Sequence, residues 1–117
     1  MARTLTLAAI QFTPSDDVQD NITRVAGFIR EAAAKGADVV LPPELFCGHY
    51  FCKTQEEEHF ARAMEWQDHP AVRQYAELAA ELGVVIPVSI YEKDGPLYFN
   101  SVVMIDADGA PLGVYRK

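Results

Sequence analysis

The sequence predicts an α/β fold, a mixed sheet with helices on one face. Three observations carry that expectation. A strand, an amphipathic helix and a second strand follow one another in the first 41 residues, the order of a right-handed crossover with parallel strands. A second helix then leads into three strands joined by tight turns, the pattern of an antiparallel meander. Half of the 117 residues are hydrophobic and 23% are charged, enough for one real core and inconsistent with disorder.

The first strand is read from Leu5 to Phe12, which alternates and then runs apolar as a largely buried strand does. Pro14-Ser15-Asp16-Asp17 breaks it, and Asp16 or Asp17 can cap the next helix by accepting a backbone N–H. In that helix Val18, Ile22, Val25, Ile29 and Ala32 or Ala33 form one apolar stripe, and Gly36 suits a left-handed position past its end. Ala37 to Leu41 is a short buried strand stopped by Pro42-Pro43. Glu44 to Lys53 reads as irregular and aromatic, and Glu56 to Trp66 as helical. The second clear helix begins at Pro70, with Val72, Tyr75, Leu78, Ala79 and Leu82 inward, and ends at Gly83. Val84 to Tyr91 is a strand in which Pro87 suggests an edge or a bulge. Lys93-Asp94-Gly95 turns the chain into a strand over Leu97 to Ile105. Asp106-Ala107-Asp108-Gly109 turns it again into a last strand that starts at Leu112.

Charge and composition exclude several functions. Ten Lys and Arg against 17 Asp and Glu leave a net charge of −7 and a pI near 4.8, which argues against nucleic-acid and anionic-membrane binding. No apolar run approaches the ~18 residues of a spanning helix, and the opening Met1-Ala2-Arg3-Thr4 carries no apolar signal core. Two cysteines, Cys47 and Cys52, make neither a disulfide framework nor a four-ligand zinc site. A reducing cytoplasm is the expected compartment. No glycine-rich phosphate loop is present, the Asp106 to Gly109 turn lacks the other positions of a calcium loop, and no metal or cofactor is expected.

Three features could carry chemistry. Glu44 lies just past the C-terminal end of the second strand, where ligands bind in open α/β sheets, although loop glutamates are more often solvated. Phe46, His49, Tyr50 and Phe51 surround it in sequence. They are either a packed loop or an apolar setting that raises the carboxyl pKa towards a useful general base. Lys117, taken alone, reads as a solvated end. His59 and His69 read as surface or capping residues, and Glu56-Glu57-Glu58 as a solvated helix start.

Leu41-Pro42-Pro43-Glu44-Leu45-Phe46 resembles the carbon–nitrogen hydrolase (nitrilase) superfamily. Leu7 to Phe12 and Asn21 fit the same pattern, as does Gly113-Val114-Tyr115-Arg116-Lys117 preceded by Asn100-Ser101 and Asp106 to Gly109. Within it, Gly48 to Cys52, Asp68-His69-Pro70 and Leu82 to Ser89 are similar to the branch of N-carbamoylputrescine amidases, with β-ureidopropionase-like hydrolases sharing much of the pattern. The resemblance implies that residues 1–117 are the N-terminal portion of one α-β-β-α sandwich domain. It implies catalysis by a Glu–Lys–Cys triad in which Glu44 is the general base and Lys117 the lysine. The nucleophilic cysteine belongs after the lysine, and neither Cys47 nor Cys52 matches it. The implied substrate is a small carbamoyl-amine, with Tyr50 as a substrate-binding residue and the complete enzyme a homo-oligomer. The 117 residues alone are expected to be inactive. Two rivals stand beside this expectation: a non-catalytic module that pairs through its uncovered sheet, and another amidase of the superfamily.

Overall fold

The computed structural model describes residues 2–49 and 57–117. Five strands and two α-helices run in the order β1 (Leu7–Ala9), α1 (Val18–Ala34), β2 (Val39–Leu41), α2 (Pro70–Leu82), β3 (Ile86–Asp94), β4 (Leu97–Ile105) and β5 (Pro111–Arg116). β1 and β2 are parallel, with Leu7 opposite Val39 and Ala9 opposite Leu41. β3, β4 and β5 form an antiparallel meander. A single parallel bridge from Val39 to Val85 joins the two parts, with Val85 N–H donating to Asp38 C=O at 2.9 Å and Val40 N–H to Val85 C=O at 3.0 Å. The result is the mixed α/β arrangement expected.

Both helices lie on the same side of the sheet. α1 buries Ile22, Val25 and Ile29, and α2 buries Val72, Tyr75, Leu78 and Ala79. These meet Val40, Ile86, Val88, Ile90, Val103 and Ile105 in one core. Asp17 caps α1 by accepting from Asp20 N–H at 2.9 Å, and Gly36 and Gly83 take the left-handed backbone past each helix end. Val18, expected in the apolar stripe, is exposed at the first turn, and the stripe begins instead with Asn21 and Ile22.

Among the described residues no helix covers the opposite face. Strand alternation sends Leu7, Leu41, Met104 and Tyr115 to it, and all four are exposed, Leu7 at 71% and Tyr115 at 70%.

Other expectations are adjusted. The first strand is three residues long, because its partner ends at Pro42-Pro43. Residues 57–68 are helical in part, as expected over Glu56 to Trp66, but as two short 3-10 helices, Glu57–Arg62 and Trp66–Asp68, with a break between them. The cause is a strand-like contact: Met64 N–H donates to Tyr91 C=O at 3.2 Å and Lys93 N–H to Met64 C=O at 2.8 Å, so the backbone leaves the helix to pair with β3. Pro70 then holds His69 extended, which separates this segment from α2. Of the edge or bulge expected at Pro87, the edge is what is found: Pro87 lies on β3, an outer strand of the meander, and pairs opposite Met104 without disturbing the β3–β4 register; the irregularity lies between Met104 and Ile105, towards β5. Among the described residues no helix is long and apolar enough to cross a membrane.

Candidate active site

Glu44 follows β2 by two prolines, in a turn that the fold grips from three sides. Leu45, the next residue, takes a left-handed backbone, with φ 50°, which costs a leucine on the order of 1–3 kcal/mol. Its buried N–H donates to the Ser89 hydroxyl at 2.8 Å, fixing the turn to β3. Phe46 is fully buried and stacks on Tyr75 of α2 at 5.7 Å. Asn21, fully buried in α1, donates to Cys47 C=O at 3.0 Å and to Ser15 C=O at 2.7 Å, and accepts from Ser15 N–H at 2.8 Å. The Glu44 side chain is thereby held over the edge of the open face.

Two donors from the meander reach it there. Asn100 of β4 donates from Nδ2 to Glu44 Oε1 at 2.6 Å. Lys117, just past β5, donates from Nζ to the same oxygen at 3.2 Å. Lys117 N–H also donates to Asn100 C=O at 2.9 Å, which continues the β4–β5 ladder by one rung. Positions 44 and 117, 73 residues apart in the chain, are thus brought into direct contact. The site is open to solvent, with Glu44 and Lys117 side chains 45% and 69% exposed.

The electrostatics correct one expectation. The Asn100 amide, and after it the Lys117 ammonium, hold the Glu44 carboxyl below its ordinary pKa. Of its described neighbours, Phe46 faces the core and His49 faces Asp16 at 3.3 Å. Tyr50, Phe51 and Cys52 lie outside the described residues. Burial pushes the Cys47 thiol up to about 12, so this cysteine is no thiolate nucleophile. His69 is a cap, as expected, but a buried one: its Nδ1 accepts from Ala71 N–H at 3.1 Å. Among the described residues no cluster of three His, Cys, Asp or Glu could hold a metal ion.

The carbon–nitrogen hydrolase pattern matches residues 6–117, nearly the whole chain. The chain belongs to the carbon–nitrogen hydrolase family. It is 46% identical to the N-carbamoylputrescine amidase of Arabidopsis thaliana over 115 residues, 98% of this chain and 38% of that protein. It is 40% identical to the citrullinase of Francisella tularensis over 95% of this chain and 39% of that protein. A carbon–nitrogen hydrolase structure from Helicobacter pylori G27 superposes with a TM-score of 0.86 at 28% identity, over 97% of this chain and 39% of that one. The chain therefore spans about two-fifths of the length of the relatives it matches.

Against the carbon–nitrogen hydrolase frame, three residues gain a place that spacing alone did not give them. Asn100 holds the carboxylate, Ser89 the turn behind it and Asn21 the segment after it. The available signal was a polar residue in the middle of an otherwise apolar strand or helix stripe. Such a residue must satisfy its hydrogen bonds somewhere in the interior or at a site.

Proposed function

We propose that this chain is the N-terminal portion of a single carbon–nitrogen hydrolase domain that cleaves the amide C–N bond of a small carbamoyl-amine, N-carbamoylputrescine first among them. The observation that carries the reading is the pairing of Glu44 with Lys117, 73 positions apart, at one carboxylate oxygen. Identity of 46% to an N-carbamoylputrescine amidase supports the substrate class, and a net charge of −7 suits a cationic amine tail.

In this reading the lowered pKa keeps Glu44 ionised at neutral pH and ready to accept a proton, as a weaker base than an apolar pocket would make it. The nucleophile is a cysteine supplied beyond these residues. Its sulfur bonds to the carbonyl carbon while its proton passes to Glu44, and Lys117 faces the oxygen that becomes negative. The C–N bond then breaks, the leaving nitrogen takes the proton from Glu44, and a thioester remains. Water attacks the carbamoyl-thioester with Glu44 again as the base; the C–S bond breaks, the sulfur takes its proton back from Glu44, and the carbamic acid released loses carbon dioxide, which breaks the second C–N bond, so the substrate ends as amine, carbon dioxide and ammonia.

The test is a chimera in which this chain replaces the matching 115 residues of the Arabidopsis enzyme. It should release ammonia from N-carbamoylputrescine, and Glu44→Gln should abolish release. Lys117→Ala should cost about 10²–10³ in kcat, the usual effect of losing one oxyanion donor. The isolated 117 residues should release none. A Glu44→Gln chimera with undiminished turnover overturns the reading.

A second reading, a non-catalytic module that pairs through the open sheet face, is favoured by the apolar exposure of Leu7, Leu41 and Tyr115. It forbids any loss of turnover on changing Glu44, because there is no turnover to lose.

A further inference from the structure

We propose that the ion pair between Glu92 and Arg116, on the helix-covered side of the sheet, is the device that positions Lys117 on the open side. The proposal rests on the reading that gives Lys117 a role in the site.

Neighbouring residues of a strand point to opposite faces. At the end of β5, Arg116 therefore turns towards the helices and Lys117 towards Glu44. A strand end held by ladder bonds alone is free to fray. Here the residue before the lysine is fastened to both other strands of the meander. Arg116 donates from Nε to Glu92 Oε1 at 2.9 Å and from a terminal nitrogen to Glu92 Oε2 at 2.7 Å. It also reaches Asp94 Oδ2 at 2.9 Å, and its guanidinium stacks on the Phe99 ring at 4.3 Å. Glu92 and Asp94 belong to β3, Phe99 to β4. Two parallel N–H···O bonds fix the plane and direction of the guanidinium as a single bond cannot.

Glu92 is the carboxylate that holds Arg116 in place. It continues the inward row Ile86, Val88 and Ile90, where an apolar residue belongs, and it is 1% exposed. Ser101 of β4 donates to the same Oε1 at 2.7 Å, so the buried carboxylate is matched by donors from two strands. A buried carboxylate without its cation is strongly disfavoured. Glu92 therefore demands Arg116 in one orientation, and chain geometry then sends the next side chain across the sheet to Glu44.

A purely stabilising pair and a positioning pair respond differently to apolar replacement. Exchanging both members of a buried ion pair for apolar residues of similar volume is often neutral or favourable for stability. The double variant Glu92→Met with Arg116→Leu should therefore keep a cooperative melting transition yet release Lys117. The direct readout is the carboxyl titration of Glu44 by carbon NMR, assigned by loss of its signal in Glu44→Gln. Its titration point should rise in the double variant as the Lys117 contact is lost. Arg116→Lys keeps the charge without the fork and should give the same rise. In the chimera with the Arabidopsis enzyme, both variants should lower kcat about a hundredfold, as misplacement by an ångström can, with KM little changed.

A Glu44 titration and a kcat that stay at parent values in the double variant overturn the proposal. If the double variant fails to fold, Arg116→Lys decides by the same two outcomes. An inactive parent chimera removes the amidase reading but leaves the titration to judge whether the pair sets Lys117.

Discussion

Glu44 receives both of its described donors at one oxygen, and they differ in kind. Asn100 brings a short neutral hydrogen bond, Lys117 a longer charged one. The neutral bond is the larger cause of the lowered carboxyl pKa. A geometric argument agrees: the ammonium is the more exposed partner, and water screens its charge. Replacing Asn100 by Ala should therefore raise the titration point of Glu44 even with Lys117 intact, read by the same carboxyl NMR signal. The sign for stability follows from the lowered value. Ionised Glu44 favours the fold above its unfolded pKa, and that contribution is lost as pH falls through the folded value. Asn100→Ala should shrink that acid-side loss. A titration curve identical to the parent's refutes the assignment of Asn100 as the carboxylate's holder.

Two elements are fixed by single positions that can be tested separately. The first is the start of α2. His69 accepts a backbone N–H at Nδ1, which requires that nitrogen to be unprotonated, and burial lowers its pKa to about 4. Protonation would convert the acceptor into a donor facing a donor. Stability from this cap is present above the ordinary histidine value of 6.5 and is lost as pH falls towards 4. The full loss is on the order of 3 kcal/mol. His69→Asn, which can cap without titrating, should flatten the chemical-denaturation midpoint between those pH values. An unchanged slope would show that His69 is not its source. The second element is the β4–β5 turn. Gly109 sits at φ +87°, and a Cβ there would stand 2.6 Å from the Ala76 carbonyl oxygen of α2. Neither strain nor clash can relax without moving the helix backbone, so Gly109→Ala should cost about 2–4 kcal/mol by thermal unfolding. A loss below 0.5 kcal/mol would show that the turn does not press on α2.

At the scale of the whole molecule, what the sequence made legible was what depends on local pattern. The stripe Ile22, Val25, Ile29 is periodic, and Gly36 and Gly83 are punctuation, so α1, its end and the end of α2 could be read directly. The alternation of β3 and β4 gave the meander. The break between the two 3-10 helices could not be read, because Met64 pairs with a strand 28 positions away, and no local preference encodes that contact. At the site, the motif around Glu44 and the one ending in Lys117 were legible as a resemblance. Their meeting, and Asn100 between them, depend on the β4–β5 register. The expected rise in the carboxyl pKa failed for the same reason: Phe46 is adjacent in sequence but turns into the core, whereas Asn100 is 56 residues away and touches.

The open sheet face is the remaining whole-molecule feature with a measurable consequence. Leu7, Leu41, Met104 and Tyr115 are exposed on the side away from both helices. Large apolar side chains exposed together on one sheet face favour association in water. Solvent-facing substitutions normally change stability by less than about 0.5 kcal/mol, so polar replacements here should alter association without unfolding the chain. The isolated chain is expected to gain apparent mass with concentration by light scattering. Leu41→Ser with Tyr115→Ser should return it towards a monomer while its melting temperature stays near the parent value. Both residues lie on the face that carries Asn100 and Lys117, so whatever covers the apolar surface also borders the candidate site. Coverage would take water from around the Glu44–Lys117 pair and strengthen its Coulomb attraction. Added salt should therefore weaken the pair's effect on the Glu44 titration less in the associated chain than in the double-serine variant. Equal salt sensitivity in the two, or a parent chain that remains monomeric at every concentration, separates the face from the site.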